Sequence, residues 1–331
     1  MTNPRFSSAF IALFLLSLTL SPLRAAVPSG SSTNPALPPN TEVFTVRTSS
    51  PENHDVPFYV KRPSSYDPAN PATRGKVYRI LLICPVYNGD GLNVITQHSL
   101  MPVADTNGWF VVSPTFKQDN SETRNRNKSY YYPEEFSGKA VLDALDLIAK
   151  KYPVDTNHLL LKGLSGGGQF VHRFALWAPD RVTALAVNSC SWFDDPTAGA
   201  AKFPWLVTIG ESDPAYEATP EFVAKLKGVG ALPIFKSYMG MLHEGDYRVS
   251  SLDAAFLTFY DKLTAKDLGK PLMLADKQRK NMVMTVAQMP FVGDSQEWKY
   301  QPNTPESVDQ IAEDSRIFLP SEEIAKLWGG E

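Results

Sequence analysis

The chain has 331 residues, of which 43% are hydrophobic, and a formal net charge of −3 at pH 7. A chain of this length and composition can bury a full core as one large domain or two small ones, which excludes a disordered or fibrous protein. The mildly acidic balance gives no electrostatic attraction to nucleic acid or to anionic membranes, so neither is expected as a partner.

Residues 1–26 have the order of a secretory signal peptide. Arg5 precedes an apolar stretch at 9–20, and alanines follow at positions 25 and 26. The stretch is short for a membrane span, so we expect cleavage and a secreted or periplasmic protein with no membrane association after signal removal. An uncleaved N-terminal anchor is the alternative. Loss of Arg5 and Arg24 would change the formal charge from −3 to −5.

Residues 27–40 are rich in Pro, Ser and Gly and are predicted to be a linker. A hairpin should follow, with strands at 42–48 and 57–63 around a loop at 49–55. From residue 78 onward, predicted strands alternate with predicted helices. Apolar strands are predicted at 78–84, 109–114, 158–163, 182–189, 204–210 and 232–239, and helices at 97–106, 139–152, 167–177, 220–229 and 250–263.

Strands that are apolar throughout and separated by helices indicate an α/β fold with a mostly parallel sheet covered by helices on both faces. We assign residues 41–264 to this domain and 265–331 to a small C-terminal extension. The extension has an apolar stretch at 282–293 and two helix starts, after Thr304 and after Ser321. Trp298 and Trp328 are predicted to be buried, so the extension should pack on the domain.

The only two cysteines, Cys84 and Cys190, each lie near the end of an apolar run. They could pair in an exported protein, but two separate buried thiols are favoured because both positions are predicted strand ends. The sequence has no CxxC or Cys/His spacing typical of a metal site, so no metal is expected.

The segment "GLSGG" at 163–167 matches the pattern G-x-S-x-G and makes Ser165 a candidate nucleophile. The alternative is a small residue in a tight strand-to-helix connection. An apolar strand before the motif and a helix after it favour a nucleophile elbow, in which a strained turn lifts the serine hydroxyl clear of the sheet.

A serine hydroxyl needs a histidine base and an acid that orients the base. In this architecture the order along the chain is Ser, acid, His, each on a loop after a later strand. Asp213 follows the strand at 204–210, and His243 follows the strand at 232–239. Glu211 is an alternative acid, whereas Asp194 follows the wrong strand.

The remaining histidines are not expected to act as the base. His172 lies two helical turns beyond the nucleophile, which points it away from the hydroxyl and favours a helix-face role. The histidines that precede the nucleophile are predicted to be structural or exposed: His54, His98 and His158.

A tetrahedral intermediate needs donors for its oxyanion. The backbone N–H of Gly166 is the first candidate, and Tyr87, through its N–H or its hydroxyl, is the second. Tyr87 could instead only line the cleft. Trp192 and the tyrosines at 130–132 could form an aromatic wall for a substrate, although aromatic residues before a helix are usually packing residues.

Over residues 43–264 the chain resembles the α/β-hydrolase superfamily. The segments "SLMPVADTNGWFVVSP", "GLSGGGQFVHRFALWAPDRV" and "GESDP" are similar to secreted esterases of the polyhydroxybutyrate depolymerase and feruloyl esterase type. The resemblance implies the α/β-hydrolase fold and ester hydrolysis through Ser165, Asp213 and His243 without a cofactor. Many of these esterases have His-Gly where this chain has "CPVYNG" at 84–89, so the resemblance identifies no second oxyanion donor.

A tyrosine near position 87 also resembles prolyl-oligopeptidase-like enzymes, so a serine peptidase is the main rival, and a non-catalytic binding protein with this fold is the other. We expect no propeller-sized N-terminal domain that would screen peptide substrates. Only a short segment, 189–203, stands where interfacial lipases commonly carry a large lid. We therefore expect an open cleft that suits a small-molecule or polymer-attached ester.

Overall fold

The computed structural model describes residues 37–48, 55–117, 129–271 and 283–330. The predicted signal peptide, most of the predicted linker and most of the predicted hairpin loop lie outside these ranges.

Eight strands form the central sheet, in the order β1-β2-β4-β3-β5-β6-β7-β8. Their ranges are β1 (Thr41–Arg47), β2 (Asp55–Lys61), β3 (Ile80–Cys84), β4 (Phe110–Pro114), β5 (Leu159–Leu164), β6 (Val182–Asn188), β7 (Trp205–Gly210) and β8 (Ile234–Tyr238). Strand β2 is antiparallel to β1 and β4, and all neighbours from β4 to β8 are parallel. The predicted mostly parallel sheet is confirmed.

Every residue of β3, β4, β6, β7 and β8 is buried, so both faces of the sheet are covered. The helices of this part are α1 (Gly91–Gln97), α2 (Met101–Asn107), α3 (Gly138–Lys151), α4 (Gly166–Trp177), α5 (Ala218–Gly228) and α6 (Tyr247–Thr264). Helix α3 packs on β1, α4 on β3, β5 and β6, and α6 on β6 and β7. Within the described ranges, no helix combines the length and apolarity that crossing a membrane requires.

The prediction of a single helix at 97–106 is wrong, because the chain forms two short helices, α1 and α2, between residues 91 and 107. Asp90 caps α1 and accepts a hydrogen bond from the backbone N–H of Leu92 at 2.8 Å, so the helix begins at Gly91. His98 has an extended backbone that ends α1, and Pro102 in the first turn of α2 restarts the helix.

The C-terminal segment forms a separate antiparallel sheet, β10-β9-β11, with strands β9 (Phe291–Asp294), β10 (Lys299–Pro302) and β11 (Arg316–Leu319). Helices α7 (Pro305–Asp309) and α8 (Glu322–Gly329) begin after the predicted caps Thr304 and Ser321. Helix α8 packs on α6, and β11 contacts β8.

The two tryptophans of this segment differ in burial. Trp328 is fully buried, and its indole Nε1–H donates to the backbone oxygen of Phe235 in β8 at 2.6 Å. Trp298 is only half-buried and has a φ of 54°. The Nζ atom of Lys236 lies 4.2 Å from the centre of the Trp298 ring system. These contacts attach the C-terminal segment to the outermost strand of the central sheet.

Candidate active site

Three of the predicted site residues follow parallel strands of the central sheet. Ser165 comes directly after β5, Asp213 three residues after β7, and His243 five residues after β8. Because parallel strands end at the same edge of a sheet, their loops meet there. The structure brings the three side chains together at this edge.

Ser165 stands in a strained turn between β5 and α4. Its φ of 55° and ψ of −120° are rare for a residue with a side chain. Glycines on either side permit the turn: a Cβ on Gly163 would overlap the backbone oxygen of Gly167, and a Cβ on Gly167 would overlap that of Cys84. The Ser165 N–H donates to the backbone oxygen of Asn188 at 3.0 Å, which ties the turn to β6.

The hydroxyl of Ser165 lies 2.8 Å from Nε2 of His243. On the other side of the ring, Nδ1 lies 2.9 and 3.0 Å from the two carboxylate oxygens of Asp213. A carboxylate can only accept, so Nδ1 carries a proton and Nε2 is free to accept the serine proton. The Asp213 carboxylate is fully buried and also accepts from the backbone N–H of Ala215 at 2.8 Å, whereas the His243 side chain is 38% exposed.

The alternative acids bond elsewhere. Glu211 accepts a hydrogen bond from the hydroxyl of Ser237 at 2.8 Å, and Asp194 accepts one from Nε of Arg173 at 2.8 Å. The backbone of Glu211 also joins the two loops, because its N–H donates to the backbone oxygen of Tyr238 at 3.0 Å. Of the three carboxylates weighed from the sequence, Asp213 is the one that contacts His243.

His172, predicted to lie on a face of this helix, is fully buried in α4. Its Nδ1 donates to the backbone oxygen of Gly168 at 3.0 Å, and its Nε2 accepts from the backbone N–H of Asp194 at 3.1 Å. Burial lowers the pKa of His172 well below its usual range. The neutral ring therefore bridges α4 to the segment after β6 and lies away from the Ser165 hydroxyl.

The predicted oxyanion donors are neighbours. A Cβ built on Gly166 would lie 2.7 Å from the backbone nitrogen of Tyr87, which places that amide close to the start of α4. Gly166 is the first residue of α4, so its N–H has no partner within the helix. The backbone of Tyr87 therefore lies against Gly166, the residue that follows Ser165.

The aromatic residues near the site divide into core and surface. Tyr130 and Tyr131 are buried, as the packing alternative predicts, and Tyr132 is half-buried. Trp192 is 44% exposed on the segment between β6 and β7. Of the predicted aromatic wall, only Trp192 therefore presents a large exposed surface.

A buried ion pair that begins three residues before Ser165 was not predicted from the sequence. Lys162 in β5 forms an ion pair with Asp253 of α6 at 2.8 Å, with both side chains almost fully buried. The side-chain nitrogen of Asn188 donates to the hydroxyl of Thr208 and, at 3.4 Å, to Asp253. The signal was a lysine inside an otherwise apolar strand, "HLLLKGL". Such a charge needs a buried partner, but its identity depends on the fold.

Cys84 and Cys190 are separate buried thiols, as expected. Burial raises the pKa of the Cys190 thiol to about 12, so it stays protonated. Within the described ranges, no group of three or more His, Cys, Asp or Glu side chains is arranged to hold a metal ion.

No protein-family model matches the chain, and no curated protein matches it by sequence. Solved structures do match. A ferulic acid esterase superposes with a TM-score of 0.53 at 18% identity, covering 67% of this chain and 97% of its own. A fluorophosphonate-binding serine hydrolase of Staphylococcus aureus gives 0.52 at 16% identity, over 66% and 97% of the two chains. An S-formylglutathione hydrolase from Agrobacterium tumefaciens gives 0.51 at 16%, over 67% and 94%.

At these identities the likeness concerns the fold. The strand order of the central sheet, the antiparallel pairing of β2 within it and the turn at Ser165 agree with it. The chain has the α/β-hydrolase fold, with a small C-terminal sheet beside it.

Proposed function

We propose that the protein is an exported serine hydrolase that cleaves carboxylic esters. The observation that carries the proposal is the continuous hydrogen-bonded series from Ser165 through His243 to Asp213. The serine stands in the strained turn of a nucleophile elbow, and the acid is buried.

In the proposed reaction, Nε2 of His243 takes the proton of Ser165 while Oγ attacks the ester carbonyl carbon. Asp213 holds the imidazole in the required tautomer and stabilises the imidazolium. The backbone N–H groups of Gly166 and Tyr87 hold the oxyanion. His243 then gives its proton to the leaving alcohol, which leaves an acyl group on Ser165.

Water attacks this acyl-enzyme in the second half of the cycle. His243 removes a proton from the water, and collapse of the second tetrahedral intermediate returns the proton to Ser165 and releases the carboxylic acid. Neither half requires a metal or an organic cofactor.

Exposed apolar residues that adjoin two of the site residues in the chain support an ester with an apolar part. Val86, next to Tyr87, is 44% exposed, and Leu242, next to His243, is 57% exposed. Trp192, on the segment between β6 and β7, is 44% exposed. The segment between β6 and β7 contains a single short 3-10 helix, Ala198–Lys202, and no large lid. We therefore propose a polymer- or sugar-linked ester as the substrate class.

A hydrolysis panel tests the proposal. The purified mature protein would be assayed with aryl acetates, feruloyl sugars, hydroxybutyrate oligomers and peptide amides, with Ser165→Ala as the matched variant. Turnover of at least one ester that is abolished in Ser165→Ala supports the proposal. Cleavage of peptide amides at rates comparable to esters would favour the peptidase instead, and no turnover of any substrate would favour a binding protein.

Export has its own test, because only the composition of residues 1–26 supports it. Mass spectrometry of the protein secreted or released from the periplasm should give an N-terminus shortly after position 26. An intact N-terminus on a membrane-bound protein would contradict export as a free enzyme.

A further inference from the structure

Tyr131 brings a hydroxyl group to the side of the nucleophile turn where the oxyanion donors lie. The hydroxyl oxygen is 3.0 Å from the position that a Cβ on Gly166 would occupy, and the backbone nitrogen of Tyr87 is 2.7 Å from that same position. One side chain from the segment before α3 therefore meets both elements that border the proposed oxyanion site.

The tyrosine has little freedom to move. It is 3% exposed, and its ring lies against the rings of Tyr130 and Tyr87, with centre-to-centre distances of 4.6 and 6.3 Å. Its backbone N–H donates to the hydroxyl of Ser129 at 3.2 Å. Burial raises the pKa of Tyr131 to about 12, so the hydroxyl keeps its proton.

Aromatic packing connects this residue to the loop that carries Tyr87. The rings of Tyr87 and Tyr131 are tilted by 45° to each other, and the ring of Tyr130 contacts Tyr131 and also stacks on Phe116, with ring centres 5.1 Å apart. Tilted and offset stacked arrangements are the favoured geometries of buried aromatic pairs.

The same loop is held from outside by Lys117, whose ammonium donates to the backbone oxygen of Asn88 at 2.5 Å and to that of Gly89 at 3.3 Å. Within the loop, the N–H of Gly89 donates to the backbone oxygen of Val86 at 2.8 Å. These bonds hold the shape of the loop at 86–89, whereas Tyr130 and Tyr131 would hold the distance between this loop and α4.

We propose that Tyr131 is a positioning residue for the oxyanion hole, which holds the Tyr87 amide against Gly166 through its hydroxyl and through the packing of its ring against that of Tyr87. The inference rests on the proposed esterase function. It extends that function to a residue on a different loop from the triad and from the oxyanion donors.

The test compares Tyr131→Phe, Tyr130→Phe and the double variant with the unmodified enzyme on an aryl ester. A small displacement of an oxyanion donor should lower kcat by about tenfold to 100-fold and change KM little. The affinity for an aryl trifluoromethyl ketone, which forms a tetrahedral adduct with the serine, should fall in parallel with kcat/KM. Because the two tyrosine rings are in contact, the double variant should lose less than the sum of the two single losses.

Tyr152→Phe is the matched control, because it removes a hydroxyl that donates to Glu42 of β1 at 2.7 Å, and neither residue belongs to the site loops. It should keep the kcat of the unmodified enzyme. A kcat within about twofold of the unmodified enzyme for folded Tyr131→Phe, with an unchanged inhibitor affinity, would overturn the proposal.

Hydrogen exchange separates this proposal from the esterase proposal. Amides in a peptide covering residues 85–90 should exchange faster in Tyr131→Phe than in the unmodified protein or in Tyr152→Phe, whether or not any ester is cleaved. Faster exchange in a protein that hydrolyses nothing would refute the esterase and leave the loop contact standing. Unchanged exchange would refute the positioning role.

Discussion

Ser165 occupies a backbone conformation that costs on the order of 1–3 kcal/mol for a residue with a side chain. The surrounding structure maintains it through the hydrogen bond to Asn188 and through glycines that let β5 and α4 approach closely. The strain points the hydroxyl at His243 instead of into the sheet. The unfavourable backbone conformation of Ser165 therefore places its hydroxyl within hydrogen-bond distance of His243.

At the residue scale, the identity of the acid can be tested directly. Asp213→Asn should lower kcat by about three to four orders of magnitude, because an amide in this position stabilises the wrong imidazole tautomer. Glu211→Gln should keep most of the activity, since its carboxylate bonds to Ser237 and not to His243. Steady-state kinetics on one aryl ester would check both variants, and the reverse ranking would show that the acid is Glu211.

The meeting of Ser165, Asp213 and His243 could be predicted from the sequence because each follows an apolar strand, and parallel strands bring such loops to one edge. Sequence alone left Glu211 open, since it is two residues from Asp213 and its partner Ser237 lies on another strand. The proposed positioning role of Tyr131 could not be predicted from the sequence. Its contact with Gly166 depends on how two loops pack, and no periodicity encodes that.

At the element scale, the close contact between α4 and the end of β3 requires glycine. A Cβ on Gly167 would overlap the backbone oxygens of Cys84 and Pro85, which cannot move without disturbing the sheet. We expect Gly167→Ala to lower the free energy of unfolding by about 1–3 kcal/mol.

Gly228 in α5 provides the control for this substitution, because a Cβ there would meet no atom within 4 Å. Gly228→Ala should raise the free energy of unfolding by about 0.4–1 kcal/mol, through the lower entropy of the unfolded chain. Urea unfolding of the two variants measures both effects. Equal effects on stability would contradict the packing described for α4.

The junction between α1 and α2 should make stability depend on pH. Burial and the neighbouring Lys162 lower the pKa of His98 from 6.5 to about 4, and its Nδ1 accepts from the backbone N–H of Leu100 at 3.1 Å. Between these values the unfolded chain binds the proton and the folded protein does not, so the free energy of unfolding falls as the pH falls from 6.5 to about 4. The total loss should be about 3 kcal/mol, at roughly 1.4 kcal/mol per pH unit.

His98→Asn keeps an acceptor for Leu100 and removes the titrating group. The variant should therefore lose less stability than the unmodified protein between pH 7 and pH 4, as measured by urea unfolding at each pH. Parallel losses in the two proteins would show that His98 does not contribute.

At the scale of the whole molecule, the C-terminal segment packs at the edge of the central sheet formed by β8. Trp328 contributes most to this attachment, since it is fully buried, packs against Gly293 and donates to the backbone of Phe235. Trp328→Ala should cost about 3–5 kcal/mol of unfolding free energy. Trp192→Ala, which alters an exposed residue, should change it by less than about 0.5 kcal/mol.

Thermal and urea unfolding would compare these two tryptophan variants. A loss of less than about 1 kcal/mol for Trp328→Ala would show that the C-terminal segment contributes little to the stability of the domain.

The overall architecture was predictable because its long apolar strands and amphipathic helices carry strong periodic signals, as in 139–152 for α3. The helix N-caps Thr304 and Ser321 in the C-terminal segment could be predicted too, because a cap is recognised from a few neighbouring residues. The short helix α1 was missed because seven residues behind a glycine-rich loop carry no clear period. The pairing of Lys162 with Asp253 was missed because it joins a strand to a helix far along the chain.

The central claim is that Ser165 is an activated nucleophile, and covalent labelling tests it most directly. A fluorophosphonate probe added to the folded protein should give one adduct by intact-mass spectrometry, located on Ser165 by peptide mapping, and Ser165→Ala should remain unlabelled. An unlabelled folded wild-type protein, or an adduct that persists in Ser165→Ala, would contradict the assignment.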